Sequence, residues 1–375
     1  MKFSRQKTSS VDKILLSIII FLMLSGFMIF FSAAMGLIPR EGVGFKTIIT
    51  NQFLFGIIFG SIALVIFSKI NYKYWRRYSL YIFLASILLS LLVFVPGIGM
   101  SHGGATRWID LGFATIQPSE FLKIGLVIFL ASWLSYKKND VNNIKQGILP
   151  FVCMLSVTGV IMLKQPDTDT FMIIATASLA MFIVAGAKWR YIFAIVFSGI
   201  LLLALMAQIY PHVKDRFLIL VKPLDFDILN KGYQTKQSLI AVGSGGLTGR
   251  GFGQSIQKFK YLPEPIGDSV FAVFAEEFGF VGSVILVLTF IMLLLRSYKI
   301  ATQTNDLFAT LLVVGFVTII TAQAFLNIGS MIKITPLSGL PLPLVSHGGT
   351  ATVVTLISLG IILNVSKNRV LRKRT

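Results

Sequence analysis

The sequence predicts an all-α, polytopic membrane protein with about ten transmembrane helices and a long extracytoplasmic loop before the eighth. Three observations carry that expectation. Of the 375 residues, 55% are hydrophobic, mean hydropathy is +0.81 and only 13% are charged, against about 25% in soluble domains. The apolar residues fall in continuous runs and not in the period-two alternation of barrel strands, so helices must satisfy the backbone in lipid. Basic residues also collect on one side of those runs.

The first run, 14–38, carries no charge and exceeds the roughly 20 residues that cross a bilayer. It is too long for a cleavable leader and no small-residue cleavage site ends it, so it reads as a retained span. Further spans fall near 47–68, 78–98, 119–136, 146–163, 170–187, 191–210, 269–295, 307–332 and 345–365. With a cytoplasmic N-terminus, the tails 1–13 and 367–375 and the cytoplasmic loops hold twenty basic residues. The short loops on the other face hold only Arg40, Lys46, Arg107, Lys164 and Lys333. Both termini are therefore expected in the cytoplasm. Basic residues beside anionic lipid account for most of the +19 net charge, and no nucleic-acid partner is expected. The lone Cys153 and three scattered histidines offer neither a disulfide framework nor metal-ligand spacing. No internal repeat divides the chain, so residues 1–375 read as one membrane domain.

Polar residues concentrate in the outer loops, above all in residues 211–268. In "QPSEFLK", Pro118 fits a first helical turn, and Glu120 and Lys123 share a face. They form either an ion pair binding the bundle or a charged cavity wall. Arg107 in "GATRWIDLG" suits a phosphate or simply Asp110, and Trp108 is an interfacial anchor. Asp167 and Asp169 stand before a span, where one caps it or the two hold a divalent cation. The run "GSGGLTGRGFGQS", 243–255, has free amides for a phosphate but lacks dinucleotide spacing, and otherwise reads as a mobile loop. Asp268 is placed to cap the eighth span. Glu276 and Glu277 inside that span point about 100° apart, so one should meet a basic or amide group between helices.

Taken in order, "GATRWIDLGFATIQPSEFLK", "KQPD", "GYQTKQSLIAVGSGGLTGRGFGQSIQKFKYLPE", "DSVFAVFAEEFGFVG" and "GLPLPLVSHGGT" resemble the signature segments of the SEDS family of shape, elongation, division and sporulation proteins. The resemblance spans about residues 12–366. It implies a peptidoglycan glycosyltransferase that polymerises lipid II on the outer face of a bacterial cytoplasmic membrane. The implied partners are a class B penicillin-binding protein and other division-complex proteins. A division role like that of FtsW is the leading expectation, with a RodA-like elongation polymerase or a lipid II flippase as alternatives and a recruiting scaffold ranked behind them. Asp268 occupies the place of the family's essential aspartate and is the expected catalytic base, with a divalent cation (Mg²⁺ or Mn²⁺) near it and no organic cofactor. Glu120, Lys123, Arg107, Trp108, Gln165 and Asp167 match supporting positions, as does Glu264 in the stretch before the aspartate. Three departures stand out: Ile266-Gly267-Asp268-Ser269 replaces the usual approach to the aspartate, Asp169 replaces a glycine, and His347 replaces a tyrosine.

Overall fold

Hydrogen bonding along the chain turns each of the ten apolar runs into helix. A computed structural model describes residues 4–7, 10–38, 44–102, 105–110, 112, 115–209, 211–221 and 232–373. After a short strand β1 (Ser4–Lys7), Asp12 starts α1 (Lys13–Met35) by accepting a hydrogen bond from the Leu15 amide at 2.8 Å. Then come α2 (Phe45–Lys69), α3 (Ser79–Phe94) and a small antiparallel sheet, β2 (Gly99–His102), β3 (Ala105–Asp110) and β4 (Thr115–Ile116). Pro118 opens α4 (Pro118–Tyr136), followed by α5 (Ile144–Lys164), α6 (Thr168–Val184) and α7 (Trp189–Ile209). The long outer loop contains α8 (Pro211–Val221) and α9 (Tyr233–Ser244). The chain ends with α10 (Val270–Thr302), α11 (Leu307–Met331), α12 (Gly349–Ser366) and β5 (Val370–Lys373). Among the described residues eight helices are long and apolar enough to cross a membrane, while α3 and α6 are apolar but shorter.

The core lies along α11. It packs against α4, α6, α10 and α12, and 83% of its apolar window is buried, against 6% for α7. A helix apolar all round belongs in the middle of a bundle, and α11 holds Gln323 and Asn327 there. At the opposite end from those residues, Asp12 ties three elements together. Arg296 of α10 grips its carboxylate at 3.0 and 2.6 Å, Arg369 joins it, and β1 pairs with β5. The beginning and end of the chain therefore share one face of the bundle.

The glycine-rich run departs from both readings its sequence allows. It is neither a phosphate cradle nor a mobile loop but a backbone lock on α10. That helix breaks at Gly279 (φ 64°, ψ −162°). The amides of Arg250 and Gly251 donate to Glu276 O and Glu277 O, at 3.0 and 2.9 Å. In return, the amides of Phe280 and Val281 donate to Gly246 O and Leu247 O. A side chain at Gly245 would strike Ala275 O, and one at Gly249 (φ 83°) would strike Glu277 O. Both glutamates find partners, where one was expected to. Glu276 accepts from Ser255 Oγ and the amides of Ile256 and Gln257, and Glu277 pairs with the fully buried Lys258 at 2.7 Å.

Replacing Gly249 by valine combines a backbone clash with a left-handed φ, a class of strain that costs roughly 1–3 kcal/mol or more. Thermal unfolding in detergent should show Gly249→Val melting several degrees below wild type, and an unchanged midpoint would contradict the lock.

Candidate active site

The site builds from the turn that precedes α10. Glu264 adopts φ 44°, and its carbonyl accepts from the amides of Gly267 and Ser269 at 3.1 and 3.2 Å. That turn presents Asp268 half-buried at the end of the bundle away from Asp12. Asp268 is not the cap expected from its position. Ser269 is the N-cap of α10 and makes no side-chain capping bond, because Asp268 Oδ1 faces Ser269 Oγ at 3.5 Å instead of the helix amides. Gln234 of α9 donates to Ser269 Oγ at 3.0 Å and also reaches the Asp268 carboxylate. Burial pushes the Asp268 carboxyl up to about 6 from its ordinary 3.8, and the charge of Glu264 adds to the rise. Hydrogen bonds from Gln234 and Ser269 oppose it.

Two further loops close around this turn. Asn327 of α11 donates both amide hydrogens, one to Asp268 O and one to Leu340 O, each at 2.7 Å. Ser346 Oγ donates to Gly267 O at 2.6 Å, and the His347 amide to Ile266 O at 2.7 Å. Gln52 of α2 pins the same corner through Ser346 O and the Gly348 amide.

The Glu120–Lys123 pair stands as expected, 2.7 Å apart, with both residues 3% exposed. Lys123 Nζ also donates to Gln323 Oε1 at 2.9 Å, and Gln323 Nε2 donates to Pro341 O at 2.8 Å. The pair binds the bundle and also lines a small cavity with Gln323, Phe316, Thr355 and Ser358. A chain of hydrogen bonds thus runs from Lys123 through Gln323, the 340–341 backbone and Asn327 to Asp268.

The remaining expected residues form a separate cluster. Arg107 does not pair with Asp110 but clamps the strained turn before α6. Its Nε donates to Gln165 O at 2.9 Å and Nη2 to Pro166 O (φ 30°), while Nη1 stands 4.0 Å from Asp167. Gln165 Nε2 donates to Ser90 O at 2.9 Å. Asp167 caps α6 at the Thr170 amide and accepts weakly from Ser119 Oγ. Trp108 lies on β3 opposite Met100, half-buried. Asp169 is taken by Arg216 of α8 at 2.6 Å and by the Gly339 amide at 3.2 Å, so the two aspartates do not share a ligand.

This helical bundle, with Asp268 on the turn before α10, can be set beside known proteins. The FtsW/RodA/SpoVE model, described as "Cell cycle protein", matches residues 12–371. The chain belongs to this family. Stage V sporulation protein E of Bacillus subtilis is 35% identical over 364 residues, covering 96% of this chain and 98% of that protein. The probable peptidoglycan glycosyltransferase FtsW of Geobacter metallireducens is 33% identical, covering 97% of each. Among solved structures, the rod shape determining protein RodA of Thermus thermophilus superposes with a TM-score of 0.70 at 25% identity, covering 96% of this chain and 97% of that one. A chain from work on polymerization and crosslinking by a peptidoglycan synthase complex reaches 0.78, also at 25% identity, covering 96% and 98%.

For this FtsW/RodA/SpoVE member, no three His, Cys, Asp or Glu side chains among the described residues gather as a metal cage. Asp268 and Glu264 on one turn fit only the mode in which Mg²⁺ takes one or two carboxylates and fills its shell from substrate and water. The residues that sequence reading missed are Gln234, Gln323, Asn327 and Ser346. For Gln323 and Asn327 a signal existed: polar side chains four apart inside an apolar span share a face and need a reason.

Asn327→Leu strands two carbonyls, each costing about 1–3 kcal/mol when left buried and unpaired. Denaturant unfolding in detergent should show a loss of that order, and wild-type stability would contradict the bridging role.

Proposed function

We propose that the chain is a peptidoglycan glycosyltransferase that polymerises lipid II at the outer face of the cytoplasmic membrane, in an FtsW-like division role. The observation that carries this reading is Asp268: a half-buried carboxylate with a pKa of about 6 at the outer end of the bundle. A sugar 4-hydroxyl is a weak nucleophile, and a base whose pKa lies near the working pH is the most effective at taking its proton. The hydroxyl oxygen attacks the anomeric carbon of a second lipid-linked disaccharide as its proton passes to Asp268. The anomeric carbon–oxygen bond breaks, and polyprenyl pyrophosphate leaves. Gln234 and Ser269 orient the carboxylate, and Asn327 holds its backbone.

Lys123 and Arg107 act as scaffold in this reading, because Glu120 and Gln323 engage the first and backbone carbonyls engage the second. Mg²⁺ or Mn²⁺ would be held by Glu264 and substrate oxygens beside Asp268, and when bound it would neutralise charge on the departing pyrophosphate. The basic cytoplasmic loops orient both termini inward. A class B penicillin-binding protein is the proposed partner, supported by the likeness to a chain of a peptidoglycan synthase complex.

Asp268→Asn, purified with its partner and given labelled lipid II, should fold normally and lose on the order of 100-fold or more in polymerisation. Wild-type glycan chains would remove Asp268 from the mechanism. Lipid moved across liposomes without polymer would favour a flippase, and loss of partner binding alone a scaffold. Depletion should produce filaments, whereas rounded cells would assign the RodA-like role.

The acid limb of the kcat/KM profile follows Asp268. The base works only when deprotonated, so activity should rise with pH through about 6. Roughly a tenth of the enzyme is active at pH 5 and nine-tenths at pH 7. A limb near pH 4 would contradict the raised pKa.

A further inference from the structure

The segment 245–262 sits between α9 and the active-site turn, inside what hydropathy assigns to an aqueous loop. Its amides are paired unlike those of an aqueous loop. The Gly249, Arg250 and Gly251 amides donate to backbone carbonyls, those of Ser255, Ile256 and Gln257 to the buried carboxylates of Glu276 and Glu277, and those of Phe259 and Leu262 to nearby carbonyls. Internal pairing of this kind is what irregular backbone needs at membrane depth, where water is absent. Its side chains point the same way. Leu247 is 73% exposed, Ile256 52% and Phe252 45%.

The depth of the segment is set by α10. Below the break at Gly279, the helix exposes Val281, Ile285, Leu288, Met292 and Leu295, a stripe at 3–4 spacing such as faces lipid. The Leu247 carbonyl accepts from the amide of Val281, the first residue of that stripe, and the Phe252 ring meets Phe278 at 6.4 Å. The apolar patch on the loop is therefore continuous with the membrane-facing surface. Arg250 and Lys260, both exposed, add positive charge to its border.

We infer that residues 245–262 are inserted into the outer leaflet, with Leu247, Phe252 and Ile256 among lipid acyl chains and Arg250 and Lys260 at the phosphate layer. The occupant of this surface is phospholipid. Apolar burial and electrostatic attraction act together, as they do in interfacial helices that sink about 5–10 Å below the headgroups. Because Leu262 leads in six residues to Asp268, insertion fixes the catalytic turn at the height of lipid phosphates.

The test uses the full chain with Cys153→Ser, since Cys153 is exposed, in vesicles of phosphatidylethanolamine and phosphatidylglycerol. An NBD fluorophore is placed on Leu247→Cys or Ile256→Cys. Leu288→Cys serves as the in-membrane reference and Asn305→Cys, on an exposed turn, as the aqueous one. Only preparations that co-elute with wild type are read. Lipids brominated near the headgroup should quench both loop labels within about twofold of Leu288, while aqueous iodide quenches Asn305 alone. Loop labels that respond like Asn305 would overturn the inference. Labels shielded from both quenchers would overturn it too, by indicating a covering protein chain.

Discussion

A polar side chain inside a membrane bundle must find its partners within the protein, and at Asn327 that obligation organises one end of the bundle. Its amide joins the backbone of Asp268 to that of Leu340. One turn earlier Gln323 joins Lys123 to Pro341. The two residues lie on one face of the most buried helix, so a single rigid surface sets the height of the Asp268 turn, the proline-rich loop before α12 and the Glu120–Lys123 pair. Precision of that kind suits a site on loops, which is only as well placed as the scaffold beneath it.

The three carboxylates near the start of α10 serve different ends, and their partners say which. Glu277 meets the buried Lys258 and Ser32, while Glu276 meets Ser255 and three loop donors, including Arg250 at 3.5 Å. Both are structural acceptors that bind an irregular segment to a broken helix. Among the described residues Asp268 has no cation beside it. Its neighbours are the neutral Gln234 and Ser269 and the acidic Glu264. Burial among those neighbours is what raises the Asp268 carboxyl above the ordinary carboxylate range.

Much of the architecture was readable in the amino acids alone, because lipid imposes a length and a composition on every span. The apolar runs from 14–38 to 345–365 all became helix, and the outer loops collected the polar residues that build the site. Asp268 and the Glu120–Lys123 pair stand out in the sequence because charge at or in a span needs a reason. The misreadings arose where backbone contacts decided the outcome. Glycines at 245, 249 and 279 look like flexibility in a sequence, yet they are there because the loop and α10 press backbone to backbone and leave no room for a Cβ on either side. Arg107 was open between a phosphate and Asp110, and instead of pairing with Asp110 it holds the carbonyls of a turn that only the fold creates. Gln323 and Asn327 carry no charge to mark them in the sequence, although an uncharged amide buried without a partner also faces a desolvation cost.

The protonation of Asp268 is the point at which structure and chemistry meet. It can be followed directly by infrared difference spectroscopy of wild type against Asp268→Asn, titrating the carboxyl band with acid in membranes. The account predicts a midpoint near the raised value of about 6. A midpoint close to 3.8, the value of a fully hydrated aspartate, would contradict a desolvated carboxyl on the turn before α10.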